Sequence, residues 1–180
     1  MITVIVGSNR HDSGTGIFSR YIFDRIKEKS NEKVLLFDMA EMTGDMLNAE
    51  MYSDDKQPKS VRHIQDEYFV PADKFWFITP EYNGSFPGSL KLLIDAMSIR
   101  NAKETFFDKK ACLTGVASGR AGNLRGMDHL ADVLNHLGIH TMPLRLPISQ
   151  IFKLWDKNKK IVDEGTVAAI DDQLEKFLKF

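Results

Sequence analysis

Apolar positions along this chain change rhythm repeatedly, and the changes delimit its elements. Ile2–Val6 is a short β-branched run closed by Gly7, as in a strand covered on both faces. Phe18, Ile22 and Ile26, joined by Tyr21, then share one face and predict a helix over 15–29. A second strand covers 34–37 and ends at Asp38. Val61, Ile64 and Tyr68 mark a helix stopped by Pro71, and 75–79 is a third strand, apolar on both faces, stopped by Pro80. Leu90, Leu93, Ile94 and Met97 stand at i, i+3, i+4 and i+7 and predict a helix over 88–100. Lys110–Val116 is the fourth strand, and Met127, Leu130, Leu134 and Leu137 stripe the next helix, with Gly138 placed to end it. A fifth strand over 139–148 carries Pro143 and Pro147, which suits an edge. Residues 155–161 form a charged turn, and Val167, Ile170, Leu174, Phe177 and Leu178 stripe a last helix.

Five strands alternating with five helices predict an α/β fold, a parallel sheet with helices on both faces, because parallel strands need crossovers and these are right-handed. No repeat or linker interrupts 1–180, so one domain is expected. For the strand order 2-1-3-4-5 the winding reverses between the first and third strands, and ligands lie beyond the carboxyl ends there. The loops to examine follow Val6, Thr79 and Val116. One stretch escapes the alternation: 39–59 carries Met39, Met42, Met46 and Met51 among Gly44, Asn48, Asp54, Asp55 and Pro58 without a period. Either it is functional or packs on a partner chain, or it is a surface insertion. Its methionines suit an irregular gap and an adaptable surface equally.

Composition narrows the classes. A length of 180 residues, 43% hydrophobic and 27% charged, is that of a soluble globular domain with one core. With 24 basic and 25 acidic residues, the net charge of -1 advertises neither nucleic acid nor membrane and speaks mildly against a dedicated acidic electron carrier. The single cysteine, Cys112, forbids an internal disulfide, and its apolar run suits a buried small residue better than a reactive thiol. Strand residues begin at once and no apolar run approaches a membrane span, so a cytoplasmic protein is expected, with no nucleic-acid partner and no membrane insertion. His11, His63, His129, His136 and His140 lack the pairing with acids of a metal site, and no metal is expected.

The loop after the first strand carries the first chemistry. Phosphate binding needs backbone N–H groups that can turn to the ligand, hydroxyl donors and a helix N-terminus. Gly7, Gly14 and Gly16 give backbone freedom, Ser8, Ser13 and Thr15 give hydroxyls, and Arg10 gives a planar donor fork. A Walker loop is excluded, since no lysine precedes Lys27. A dinucleotide fingerprint lacks its third small residue after Gly14 and Gly16, although Asp38 stands where a ribose-binding acid belongs. The loop suits a terminal phosphate monoester, as in a mononucleotide; an ordinary strand-to-helix turn with a capping serine fits it as well. The loop over 80–88 adds turn residues beside Tyr82 and Phe86, either of which can border a flat ligand, and 118–126 is again glycine-rich and opens a helix. Three such loops at three predicted carboxyl ends point to one crevice.

These segments resemble the NADPH-dependent FMN reductase family: Gly7, Ser8 and Arg10 with Ser13 and Thr15; Pro80-Glu-Tyr-Asn-Gly84 through Lys91 and Asp95; Ser118-Gly-Arg-Ala-Gly122 with Asn123. The similarity runs in order over nearly the whole chain. It implies a flavodoxin-like three-layer sandwich and an enzyme that passes hydride from NADPH or NADH through N5 of FMN to a small-molecule acceptor: a quinone, flavin, azo compound or metal oxyanion. It also implies a homodimer or homotetramer. Ser8, Arg10, Ser13 and Thr15 then hold the phosphate, Thr15 standing where relatives often have asparagine. Pro80, Glu81, Tyr82, Asn83 and Gly84 line the isoalloxazine, and Ser118, Gly119, Arg120 and Gly122 close its pyrimidine side. Arg120 stands where relatives often have glycine. The Gly119 N–H and Arg120 are candidates to stabilise the charge that reduction puts near N1 and O2. No acid or base catalyst is assigned. A non-enzymatic flavodoxin-like carrier and a regulatory protein with a flavin site are the alternatives. Outside the resemblance, Asp38 suits a loop cap, and Lys91 with Asp95 a helix ion pair.

Overall fold

The computed structural model describes residues 1–42 and 44–180 of the protein; Thr43, inside the 39–59 excursion, lies outside the described residues. Strands β1 (Ile2–Val6), β2 (Val34–Asp38), β3 (Lys74–Pro80), β4 (Lys110–Val116) and β5 (His140–Ile148) form one parallel sheet in the order β2-β1-β3-β4-β5. This is the flavodoxin-like order expected. Helices α1 (Gly14–Lys29), α2 (Lys59–Ile64), α3 (Gly88–Ala96), α4 (Ala102–Phe106), α5 (Leu124–His136) and α6 (Glu164–Lys179) complete it.

Alternation along each strand divides the core. Val4, Trp76, Ile78 and Cys112 meet Phe18, Ile22 and Ile26 of α1 and Ile170, Leu174 and Phe177 of α6 on one face. Ile5, Phe75, Phe77 and Leu113 meet Val61 of α2, Leu90 and Leu93 of α3, and Leu130 and Leu134 of α5 on the other. Cys112 is buried, and desolvation pushes its thiol pKa up, so it is the small apolar filler its run suggested. One polar network crosses the first layer. Trp76 Nε1 donates to Thr114 Oγ1 (2.8 Å), Thr114 donates to Gln173 Oε1 (2.8 Å), and Gln173 Nε2 donates to the Leu113 carbonyl (2.9 Å). Gln173→Leu is expected to lower unfolding free energy by ~2 kcal/mol in urea titration, because it strands buried partners.

Departures from the sequence reading are local. The helix predicted over 88–100 stops at Ala96, where the carbonyls of Ala96, Met97 and Arg100 accept from the buried side chains of Gln57 and Gln65. The five-residue α4, too short to show a period, follows. α2 continues as a π-turn over Gln65–Phe69 that turns Phe69 fully inward. β5 is the edge strand, and its register jumps from Ala111↔Thr141 to Leu113↔Arg145, with Pro143 inside the bulge. In the excursion, Met39 and Met46 are buried and Met42 and Met51 pack on the same cluster, so these methionines fill an irregular gap. Lys91 and Asp95 pair at 2.7 Å, and Asp38 accepts the Ala40 N–H at 3.0 Å, the two plain roles foreseen for them.

Candidate cofactor site

The carboxyl ends of β1, β3, β4 and β5 deliver four loops to one cleft of about 450 Å³. The first loop ends at Ser13, which caps α1 by accepting the Gly16 N–H (3.1 Å). The N–H groups of Gly14 and Thr15, in the first turn, have no intrahelical partner, and no acidic residue stands in that turn. The positive end of a 16-residue helix therefore opens on the cleft, with Ser8, Arg10, Ser13 and Thr15 around it. Asp12 also lines it, in the left-handed region (φ 52°).

The second loop is a tight hairpin. Tyr82 and Ser85 exchange both backbone hydrogen bonds (2.8 and 3.2 Å), and the residues between them, Asn83 (φ 53°) and Gly84 (φ 81°), are both left-handed. That is a type I′ turn, which asparagine followed by glycine favours. The N–H groups of Asn83 and Gly84 take no part in the hairpin and have no acceptor among the described residues. The same holds for the successive N–H groups of Ser118, Gly119 and Arg120 in the third loop.

Cross-ties hold these loops in register. Ser8 Oγ and Tyr82 Oη lie 3.2 Å apart, joining the first loop to the hairpin. The Gly7 N–H donates to the Ile78 carbonyl (2.8 Å), and a Cβ at Gly7 would stand 2.9 Å from that oxygen. Asn123 Nδ2 donates to the carbonyls of Thr79 (3.0 Å) and Pro80 (2.9 Å), so a wholly buried amide hangs the hairpin from the third loop. Gly126 leaves room for that amide: a Cβ there would lie 2.0 Å from Asn123 Oδ1.

Most residues that sequence reasoning marked as cofactor-binding meet at the cleft: Ser8, Arg10, Ser13, Thr15, Pro80, Glu81, Tyr82, Asn83, Gly84, Ser118 and Gly119. Two do not. Gly122 (φ 59°) is packed under β5, where a Cβ would meet Pro147 at 2.7 Å. Arg120 lines an adjoining groove instead. Phe86, offered as an alternative to Tyr82 beside the ligand, belongs to the core. Ile151 and Phe152 were not foreseen, although β5 ends at the same edge as its neighbours and an apolar pair follows it directly. Asn123, quoted but given no role, turns out to tie two loops.

The donor set fits a flat, anionic, phosphorylated ligand: a helix N-terminus with hydroxyls and a guanidinium at one end, free backbone N–H groups along the other. Residues 1–153 match the profile of a family described as NADPH-dependent FMN reductase. The chain belongs to that family. Among relatives, it is 34% identical over 121 residues to an NAD(P)H-dependent FMN reductase of Pseudomonas aeruginosa, a match covering 66% of this chain and 63% of that one. It is 28% identical over 177 residues to a 2-hydroxy-1,4-benzoquinone reductase of Burkholderia sp, covering 98% of this chain and 93% of that one. The solved structure of a flavoenzyme NAD(P)H:(acceptor) oxidoreductase from Paracoccus denitrificans superposes with a TM-score of 0.79 over 99% of this chain and 94% of that one. At 22% identity, that last likeness speaks for the fold. Among the described residues no helix is long and apolar enough to cross a membrane, and no cluster of acids, histidines and cysteine suits a metal.

Proposed function

We propose that this protein is an FMN-dependent NAD(P)H oxidoreductase acting on a small-molecule acceptor, with a quinone the first class to test. The observation that carries the reading is the joining, in one cleft, of a phosphate cradle at the α1 N-terminus to the unpartnered N–H groups of the Asn83-Gly84 turn. The full-length likeness to a benzoquinone reductase supports the choice of acceptor.

In this reading Arg10, Ser8, Ser13 and Thr15, with the first N–H groups of α1, bind the FMN phosphate. The 80–84 hairpin orients the ring system, and its left-handed turn presents donors without a side chain intervening. Ser118 and Gly119 present N–H groups where negative charge must be held, in the manner of an oxyanion hole. FMN held by these residues would supply the redox chemistry, two-electron hydride acceptance from NAD(P)H and transfer of those electrons to the acceptor. Phe152, at 70% exposure on the rim, is left to border whatever enters above the flavin. No side chain is assigned as acid or base. A homodimer or homotetramer belongs to the same proposal, and Leu47 and Tyr52, exposed in the excursion, are apolar surface available to it.

The test is an anaerobic titration of the FMN-loaded protein with NADPH and NADH, followed by a benzoquinone. Flavin absorbance is expected to bleach and then return when the quinone is added. Flavin that stays oxidised with both nucleotides refutes the enzyme reading in favour of a carrier.

A further inference from the structure

The arginines divide into two groups. Of eight in the chain, Arg20, Arg25, Arg100 and Arg145 pair with Asp38, Asp171, Asp66 and Asp128, and Arg62 donates to the carbonyls of Gln57, Asp54 and Asp55. The guanidiniums of Arg10, Arg120 and Arg125 have no partner among the described residues. Arg10 and Arg120 sit on loops at the carboxyl edge of the sheet, and Arg125 sits in the first turn of α5. Arg10 belongs to the phosphate cradle, and Arg125 lies over Gly84, its Nη1 3.7 Å from where a Cβ would stand. Arg120 is outside the flavin cleft and has no role in the reading above.

Arg120 lines a groove of about 320 Å³ with Ser118, Gly119, Gln150, Phe152 and Lys153. Two cations and no carboxylate face it. The Gln150 N–H donates to the Gly119 carbonyl (3.1 Å), which ties the third loop to the one after β5 and sets both cations on joined backbone. Lys153 Nζ gives one hydrogen bond to Gln150 Oε1 (2.7 Å) and keeps two donors free. Ser118, Gly119 and Phe152 line the groove and the flavin cleft alike, so one molecule can occupy both. Phe152 stands between them with its ring largely exposed and its edge against Trp155 (5.7 Å, 85°). A dianionic group therefore meets a bidentate fork and an ammonium, with an aromatic face available to an adjacent flat ring.

We propose that this groove binds the 2′-phosphate of NADPH and that Arg120 and Lys153 make the enzyme prefer NADPH to NADH. The two dinucleotides differ only in that phosphate, a group of about −1.5 to −2 charge that matches two cations. The proposal rests on the dinucleotide reading of the previous subsection, and its test is chosen to separate the two.

Calorimetry on the FMN-loaded full chain with adenosine 2′,5′-bisphosphate and with AMP keeps the α1 cradle filled and needs no turnover. The bisphosphate is expected to bind about tenfold tighter than AMP, and in R120A/K153A the two are expected to bind within twofold of each other. Both side chains are exposed, so the variant should fold as the parent does. In steady-state assays the double variant is expected to raise KM for NADPH about tenfold and to shift KM for NADH less than twofold, with flavin content unchanged. Equal binding of bisphosphate and AMP by the parent overturns the proposal, as does an equal change in both KM values. A third arm compares a sulfonated with an unsulfonated naphthoquinone, NADH being the donor. A rise in KM confined to the sulfonated acceptor gives the groove to the acceptor's anion and also overturns the proposal. A parent that discriminates the two nucleotides but oxidises neither NADPH nor NADH refutes the proposed function and leaves the groove assignment standing.

Discussion

Arg10→Ala is expected to weaken FMN binding about 10- to 100-fold while leaving riboflavin binding within twofold, since a hydrogen bond to a charged group contributes about 1.5–3 kcal/mol. Arg10 lines the cleft with Ser8, Ser13 and Thr15, and its guanidinium has no partner among the described residues. Its removal leaves no buried group unpaired, so stability should barely move. Ser13 behaves differently, because its hydroxyl already accepts the Gly16 N–H and caps the helix. Ser13→Ala should therefore cost about 1 kcal/mol in urea unfolding in addition to any loss of cofactor. Fluorescence titrations of both flavins separate the cases. If Arg10→Ala binds FMN as tightly as the parent, or loses riboflavin equally, the phosphate does not sit in this cradle.

Replacing Asn123 is expected to give the largest combined effect on folding and binding. Its amide is buried and donates to two strand-end carbonyls, Thr79 and Pro80, and its backbone is left-handed at φ 63°. Asn123→Ala removes both hydrogen bonds, leaving the Pro80 carbonyl only the Thr79 hydroxyl (3.3 Å), at about 1–3 kcal/mol for each bond lost, and adds ~1 kcal/mol for an alanine in the left-handed region. Loss of ~3–7 kcal/mol in denaturant titration is the expected sum, large against the stability of an ordinary domain. Asn123→Gly removes the same hydrogen bonds without the backbone penalty, so it should be less destabilised by ~1 kcal/mol and remain folded. In that variant the 80–84 hairpin loses its anchor to the third loop, and FMN affinity is expected to fall about tenfold. Asn123→Gly with parental FMN affinity would show that the amide serves stability alone.

Much of the site was legible because its chemistry lies in short contiguous stretches. Glycines, hydroxyls and one arginine within ten residues of a strand end announce an anion loop, and asparagine before glycine announces a left-handed turn. The parts that were missed come from across the sheet. Asn123 looked like one polar residue in a loop, since nothing local tells that its amide reaches the end of β3. Gly122 was placed beside the flavin by resemblance and Gly126 only ended a glycine-rich loop, yet each is small because Pro147 and Asn123 stand against it. Phe152 belongs to none of the motifs read from the sequence, and the alignment of β4 with β5 brings it to the cleft. Arg120 was counted with the flavin loop by position, while the structure turns it into the neighbouring groove.

The sequence by itself determined the element types and their parallel order, because burial on two faces leaves a period that short-range pattern reveals. It also carried the motifs by which the family is recognised, since they are short contiguous stretches of particular residue types. The tertiary structure alone decided where α3 ends, how the methionine-rich excursion docks, which glycines are steric necessities and which arginines are left unpaired. Those outcomes depend on distances between segments far apart in the chain, and no local pattern encodes a distance.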